Sequence, residues 1–200
     1  MHTPDEMRRK PTISMLAALA LLASCSAPGD IDNTAAPVSL ILSSLSAVGA
    51  NFGDVVNDDG TVSDTQVTAS FVARLKNSTD TTAPELQEIV LERYEVTYAR
   101  TDGGARLPAG MQRAMTAKVQ ITPNGIITEK TTTLTLTLVP ASQKLQPPLS
   151  YLISPGFEPD TGFVTVTVDA TLRFFGHTIA GEQVSVEGSI AIQFANYAGS

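Results

Sequence analysis

Tryptophan is absent from these 200 residues, cysteine occurs once, at position 25, and histidine twice, at positions 2 and 177. Each scarcity removes a class of explanation. A single cysteine forms no intrachain disulfide, so the fold has to stand on packing and strand pairing. One cysteine with so few imidazoles does not supply the nitrogen and sulfur ligands of a zinc site. Charged residues make up only 16% of the chain, with a formal net charge of −7. An acidic body is repelled at long range by a phosphate backbone, and nucleic acid is not expected as a partner. No nucleophile elbow of the G-x-S-x-G type is present. Gly103-Gly104 and Gly176 have no helix following them, so they do not read as a phosphate cradle.

The positive features begin at the N-terminus. Arg8-Arg9-Lys10 precede an apolar stretch from Ile13 to Ala23, the charged and hydrophobic regions of an export signal. The stretch is shorter than the ~20 apolar residues that a membrane-crossing helix needs. Met7 offers a second start with a more usual spacing. The signal ends Leu22-Ala23-Ser24-Cys25, an aliphatic residue, two small ones and then the cysteine, which resembles the lipobox of bacterial lipoproteins. The resemblance implies diacylglycerol on the Cys25 sulfur, cleavage before Cys25 and acylation of the new terminus. Each buried methylene contributes ~0.8 kcal/mol, so two or three chains anchor where one does not. An Asp after the cysteine favours inner-membrane retention in proteobacterial lipoproteins; Ser26 stands there instead, which implies the outer membrane over the inner.

The expected organisation is therefore a signal peptide over 1–24, a lipidated cysteine and flexible tether over 25–37, and one domain over 38–200. The tether, SAPGDIDNTAAP, is small, polar and broken by two prolines. Without its signal the chain carries 10 basic and 18 acidic residues, a net charge of −8, and His177 is its one histidine.

Beyond Pro37 the dominant period is two. Val67, Ala69, Phe71, Ala73 and Leu75 alternate with polar residues, as do Tyr94, Val96 and Tyr98. Leu134, Leu136 and Leu138 alternate with threonines. Val164, Val166, Val168, Ala170, Leu172 and Phe174 form the longest run, and Val184, Val186, Ile190, Ile192 and Phe194 the last. Such runs predict half-buried antiparallel strands with a threonine-rich face toward water. Segments 38–45 and 111–121 are weaker strands of the same kind, and 83–89 is the one stretch suited to a short helical turn. Asp58-Asp59-Gly60, Asp102-Gly103-Gly104, Pro123-Asn124-Gly125 and Phe175-Gly176-His177 supply turn chemistry between the runs, and 140–148 is a proline-bearing loop. Seven to eight strands at this spacing predict an all-β, antiparallel, immunoglobulin-like sandwich. Leu91 to Gly104 (LERYEVTYARTDGG) resembles the central strand of a fibronectin type III domain over about fourteen residues, although the tryptophan of that family is missing.

Candidate chemistry is sparse. Asn57, Asp58, Asp59 and Asp64 form the best oxygen cluster and a weak calcium candidate, but an EF-hand loop would need an acid where Val55 stands and Glu where Gln66 stands. Glu158 and Asp160 share a loop that could offer paired carboxylates. His177, beside Gly176, reads as a turn residue and not as a base. No catalytic residue, metal or cofactor is expected. The expected function is that of a membrane-anchored envelope lipoprotein without enzymatic activity, presenting a sandwich to another envelope protein or to a glycan. The alternative is a carboxylate-based enzyme or a calcium-dependent carbohydrate-binding module.

Overall fold

The computed structural model describes residues 36–48, 52–77, 84–122 and 129–197. Cys25, most of the tether and the Pro123-Asn124-Gly125 turn lie outside them. The described residues form eight strands: β1 (Val38–Ala47), β2 (Phe52–Asp54), β3 (Thr65–Leu75), β4 (Ile89–Arg100), β5 (Met111–Val119), β6 (Thr132–Val139), β7 (Thr165–Thr178) and β8 (Gln183–Ala195). A 3₁₀ turn covers Pro84–Gln87, and two short helical turns, α1 (Ala141–Lys144) and α2 (Ser150–Ile153), sit between β6 and β7.

One sheet has the order β1-β3-β6 and the other β2-β8-β7-β4-β5. With β1, β3, β4, β6, β7 and β8 taken as strands A, B, C, E, F and G, that is the immunoglobulin-type division of A, B and E against C, F and G. The segment resembling a fibronectin strand becomes β4, an inner strand of its sheet. The strand ladders are antiparallel with one exception: β2 runs parallel to β8, pairing Phe52 with Gln193 and Asp54 with Ala195.

Alternation places the core as expected. Val67, Ala69, Phe71 and Ala73 of β3 face Val166, Val168, Ala170, Leu172 and Phe174 of β7, and all nine are fully buried. Phe71 meets Phe174 edge to face at 4.8 Å between ring centroids, a geometry that the ring quadrupoles favour. Val164 departs from the pattern. The strand begins at Thr165, one residue later, and Val164 stands 66% exposed.

The ladders contain three irregularities. Ser43 in β1, Glu92 in β4 and Leu138 in β6 each fall where the register shifts. A bulge leaves a backbone group without its ladder partner, and at β6 the two tyrosines of β4 reach across the sandwich to supply it. Tyr98 Oη donates to the Leu138 carbonyl at 2.6 Å and Tyr94 Oη to the Thr137 carbonyl at 3.0 Å. Burial pushes both phenols to higher pKa, so they stay protonated donors.

Phe175-Gly176-His177 is not a turn. His177 lies in β7 between Val90 and Gln183, and the reversal comes after Thr178 with Gly181 at φ +95°. Gly176 serves close approach instead: a Cβ there would lie 2.3 Å from the Val90 carbonyl oxygen.

The sandwich has two unlike ends. β1, β4 and β8 start at one, which also carries the short β7–β8 turn. The other, the far end, carries the connections 48–64, 101–110 and 140–164 and the close of β8.

Candidate functional site

A 25-residue connection between two sandwich strands is long, and the segment 140–164 is fixed over the far end by buried polar contacts. At its C-terminal side, Glu158 is completely buried. Its Oε2 accepts from Arg100 Nη2 at 3.4 Å and from the Thr161 N–H and hydroxyl at 3.0 and 3.1 Å. Arg100, at the end of β4, also donates from Nε to Asp102 Oδ1 at 2.6 Å. Asp102 in turn accepts from the Thr167 and Gly104 N–H groups at 2.8 and 3.1 Å. The side chains of Arg100, Asp102 and Glu158 are 2%, 7% and 0% exposed. Burial alone would raise both carboxyl pKa values, but hydrogen bonds and the guanidinium outweigh it and hold both below the usual range. Burial likewise disfavours the guanidinium charge, and the two carboxylates outweigh it. The cluster is a buried brace of two carboxylates on one guanidinium, in which Glu158 Oε1 is left without a hydrogen-bond partner among the described residues.

At the N-terminal side of the same segment, α1 carries Lys144, which is 2% exposed. Its Nζ donates to the Asp54 carbonyl at 2.6 Å, joining the segment to β2. Burial lowers the Lys144 pKa, while Asp54 and Asp64 act in the opposite sense. Lys144, Asp54 and Asp64 line a polar cavity of about 150 Å³ together with Val48, Phe52, Asn57, Ser63, Thr65 and Gln66. Asp64 Oδ1 accepts from the Ala141 N–H at 2.8 Å and Oδ2 from the Thr137 hydroxyl at 3.2 Å. Phe52 forms one wall, 57% exposed, with its ring held edge-on by Tyr197 at 5.8 Å.

On the other side of Tyr197 is a second, mostly apolar cavity of about 380 Å³, lined by Leu152, Gly156, Val164, Thr165, Ala195 and Asn196 as well. Phe157 and Phe163 are brought together beside it by the Glu158 N–H, which donates to the Phe163 carbonyl at 2.8 Å. Both rings are about half exposed. The far end thus gathers a polar cavity, an apolar cavity and four exposed aromatic rings.

The four oxygen-bearing candidates part company in space. Asp58 and Asp59 project into solvent from a turn closed by Gly60 at φ +80°. Asp59 accepts from the Thr61 hydroxyl at 2.6 Å, which holds its pKa below the usual value. Asn57 and Asp64 line the polar cavity, facing Lys144 and not a shared ion site. Among the described residues no three His, Cys, Asp or Glu side chains converge as metal ligands. Glu158 and Asp160 also separate: Glu158 is inside with Arg100, and Asp160 is at the surface 3.9 Å from Arg106. His177 Nδ1, on a partly exposed ring, lies 3.2 Å from the exposed Glu92 on the outer sheet face, with no hydroxyl bonded to the ring among the described residues.

The alternation of the sequence passes over Phe52, Asp54 and Lys144, and it puts Arg100 on the inward face of Tyr94, Val96 and Tyr98 without naming its partner. The usable signal for Lys144 and Glu158 is length, since 140–164 is too long for a plain connection and therefore has to bring its own contacts. The chain matches no family model, no curated protein and no solved structure.

Proposed function

We propose that the protein is a membrane-anchored lipoprotein of the bacterial envelope, without enzymatic activity, that presents the far end of its sandwich to another envelope protein or to a glycan. The anchor is the lipid on Cys25, read from the Leu22-Ala23-Ser24-Cys25 motif, with the outer membrane favoured by Ser26. The observation that carries the interaction reading is the polarity of the domain. The chain enters β1 at one end, while both cavities and the exposed rings of Phe52, Phe157, Phe163 and Tyr197 lie at the other. A ligand-facing surface belongs on the side away from the anchor.

The carboxylate-enzyme reading draws less support. Glu158 and Asp102 are buried on the shared Arg100 guanidinium with depressed pKa values, and a general acid or base has to face substrate with a pKa near the working pH. The calcium-dependent reading is opposed by the Lys144 ammonium in the cavity where Asn57 and Asp64 meet.

Metabolic labelling with a fatty-acid probe tests the anchor. Cys25→Ala is expected to abolish labelling and leave the signal uncleaved, and equal labelling of variant and parent refutes the assignment. Pull-down from solubilised envelope with the full lipidated chain tests the presentation. Capture of a partner is expected to vanish when residues 38–200 are deleted and the signal and tether are kept.

A further inference from the structure

We propose that the polar cavity walled by Phe52 binds one ring of a neutral, hydroxyl-rich ligand, a sugar residue, without a metal ion. The proposal deepens the glycan branch of the function proposed above and rests on it.

Size comes first. At about 150 Å³ the cavity has room for roughly five waters at ~30 Å³ each. That suits most of one pyranose ring and falls short of the ~300–1,000 Å³ of a drug-sized pocket. Charge then selects among small ligands. Asp54 and Asp64 oppose an anion. A cation meets the Lys144 ammonium and carboxylate oxygens already in use, both of Asp64 by the Ala141 N–H and the Thr137 hydroxyl and Oδ1 of Asp54 by the Val56 and Tyr197 N–H groups. A wholly apolar ligand would strand the carboxylates, amides and hydroxyls of the lining without water. What remains is a neutral molecule carrying donors and acceptors around its edge.

The lining matches such an edge. Lys144 has three N–H donors, and the Asp54 carbonyl is its one hydrogen-bond acceptor among the described residues. Two donors on the ammonium of this buried lysine are thus left to the cavity that it lines. Burying an ammonium costs free energy unless its donors are used, and the lowered pKa of Lys144 reports that cost. Gln66 offers an amide, able both to donate and to accept, and the Asn57 amide, tied to the Thr61 and Ser63 hydroxyls, keeps a second N–H. Phe52 completes the site. Its ring is fixed by Tyr197 and its face is open to solvent, which provides a platform for the C–H face of a pyranose while the hydroxyls point to the polar walls.

Saturation-transfer NMR on the full chain in a detergent without a sugar headgroup tests the site. Glucose, galactose, mannose and N-acetylglucosamine are the probes, each offered singly with EDTA present. At least one sugar is expected to receive saturation, strongest on one ring face. Phe52→Ala, at an exposed position that leaves the core intact, is expected to weaken binding about tenfold. Lys144→Met is expected to abolish it, with the melting temperature of each variant recorded alongside. Transfer to none of the four sugars overturns the proposal. So does transfer that Phe52→Ala leaves unchanged, or binding that appears only when calcium replaces EDTA. Anchoring and partner capture are measured separately, so a chain that anchors and captures but ignores all four sugars refutes this site alone.

Discussion

Replacing Arg100 with leucine would remove the one cation from a cluster of two buried carboxylates. The parent side chains of Arg100, Asp102 and Glu158 are at most 7% exposed, and removing one partner of a buried ion pair costs about 3–5 kcal/mol. With a urea m-value near ~2 kcal/mol/M, a loss of about 4 kcal/mol lowers the unfolding midpoint by roughly 2 M. The parent has no tryptophan, so the transition is followed by far-ultraviolet circular dichroism. The pH dependence is the sharper readout. In the parent both carboxyl pKa values are depressed, so their stabilisation is complete above the unfolded values near ~4 and is lost as pH falls through the folded ones. Between pH 5 and 7 this cluster leaves the parent's stability flat. In Arg100→Leu the carboxylates lose the guanidinium but Glu158 keeps its backbone and Thr161 donors, so both pKa values rise toward the unfolded ones. The depression that stabilises the folded state shrinks, so below about pH 5 the variant loses less stability on acidification than the parent does. A variant within about 1 kcal/mol of the parent, with a parallel pH profile, would refute the view that this pairing holds the far end together.

Other positions give contrasting outcomes. Tyr98→Phe leaves the Leu138 carbonyl at a bulge without its 2.6 Å donor and is expected to cost about 1–3 kcal/mol in a urea melt, whereas Tyr94→Phe, equally buried but giving up a longer 3.0 Å bond, costs less. Val166→Asp buries an unpaired charge in the core and is expected to abolish a cooperative melt, while Thr165→Asp, on the opposite face of β7, changes stability little. Equal costs would mean that β7 is not oriented as described. Gly176→Ala sets a Cβ 2.3 Å from the Val90 carbonyl oxygen, and Gly188→Ala sets one 2.4 Å from the Leu42 Cδ2. Backbone cannot yield as a leucine tip can, so thermal melting should show the larger loss, about 3 kcal/mol or more, for Gly176→Ala.

The strand framework was legible because a two-residue period is a local property. Val67 to Ala73, Val166 to Phe174 and Val184 to Phe194 announce their buried faces without reference to one another. β2 escaped because Phe52-Gly53-Asp54 is too short to alternate, and its parallel place beside β8 depends on a distant strand. Gly176 misled because a glycine next to a histidine reads as a turn, whereas the residue is there to admit the β4 backbone. The site was less legible for a related reason. Lys144 and Glu158 lie in segments rich in proline and polar residues, where charge ordinarily means solvent. They are buried because Asp54 and Arg100, 90 and 58 residues away, come to meet them. The four candidates Asn57, Asp58, Asp59 and Asp64 erred in the opposite direction, since proximity along the chain brought only two of them to one cavity.

The course of β1 has a mechanical consequence. Its ladder with β3 runs from Val38 opposite Leu75 to Ala47 opposite Val67, beginning at the end where the chain enters the domain. A pull between the chain upstream of Val38 and a ligand held at the far end acts along the strands, over the ~45 Å that fourteen residues of β7 span. The β1–β3 hydrogen bonds are then loaded in shear and share the force, whereas a sideways pull on β1 would open them one pair at a time. The domain is therefore stronger against a pull along its strands than against one across them.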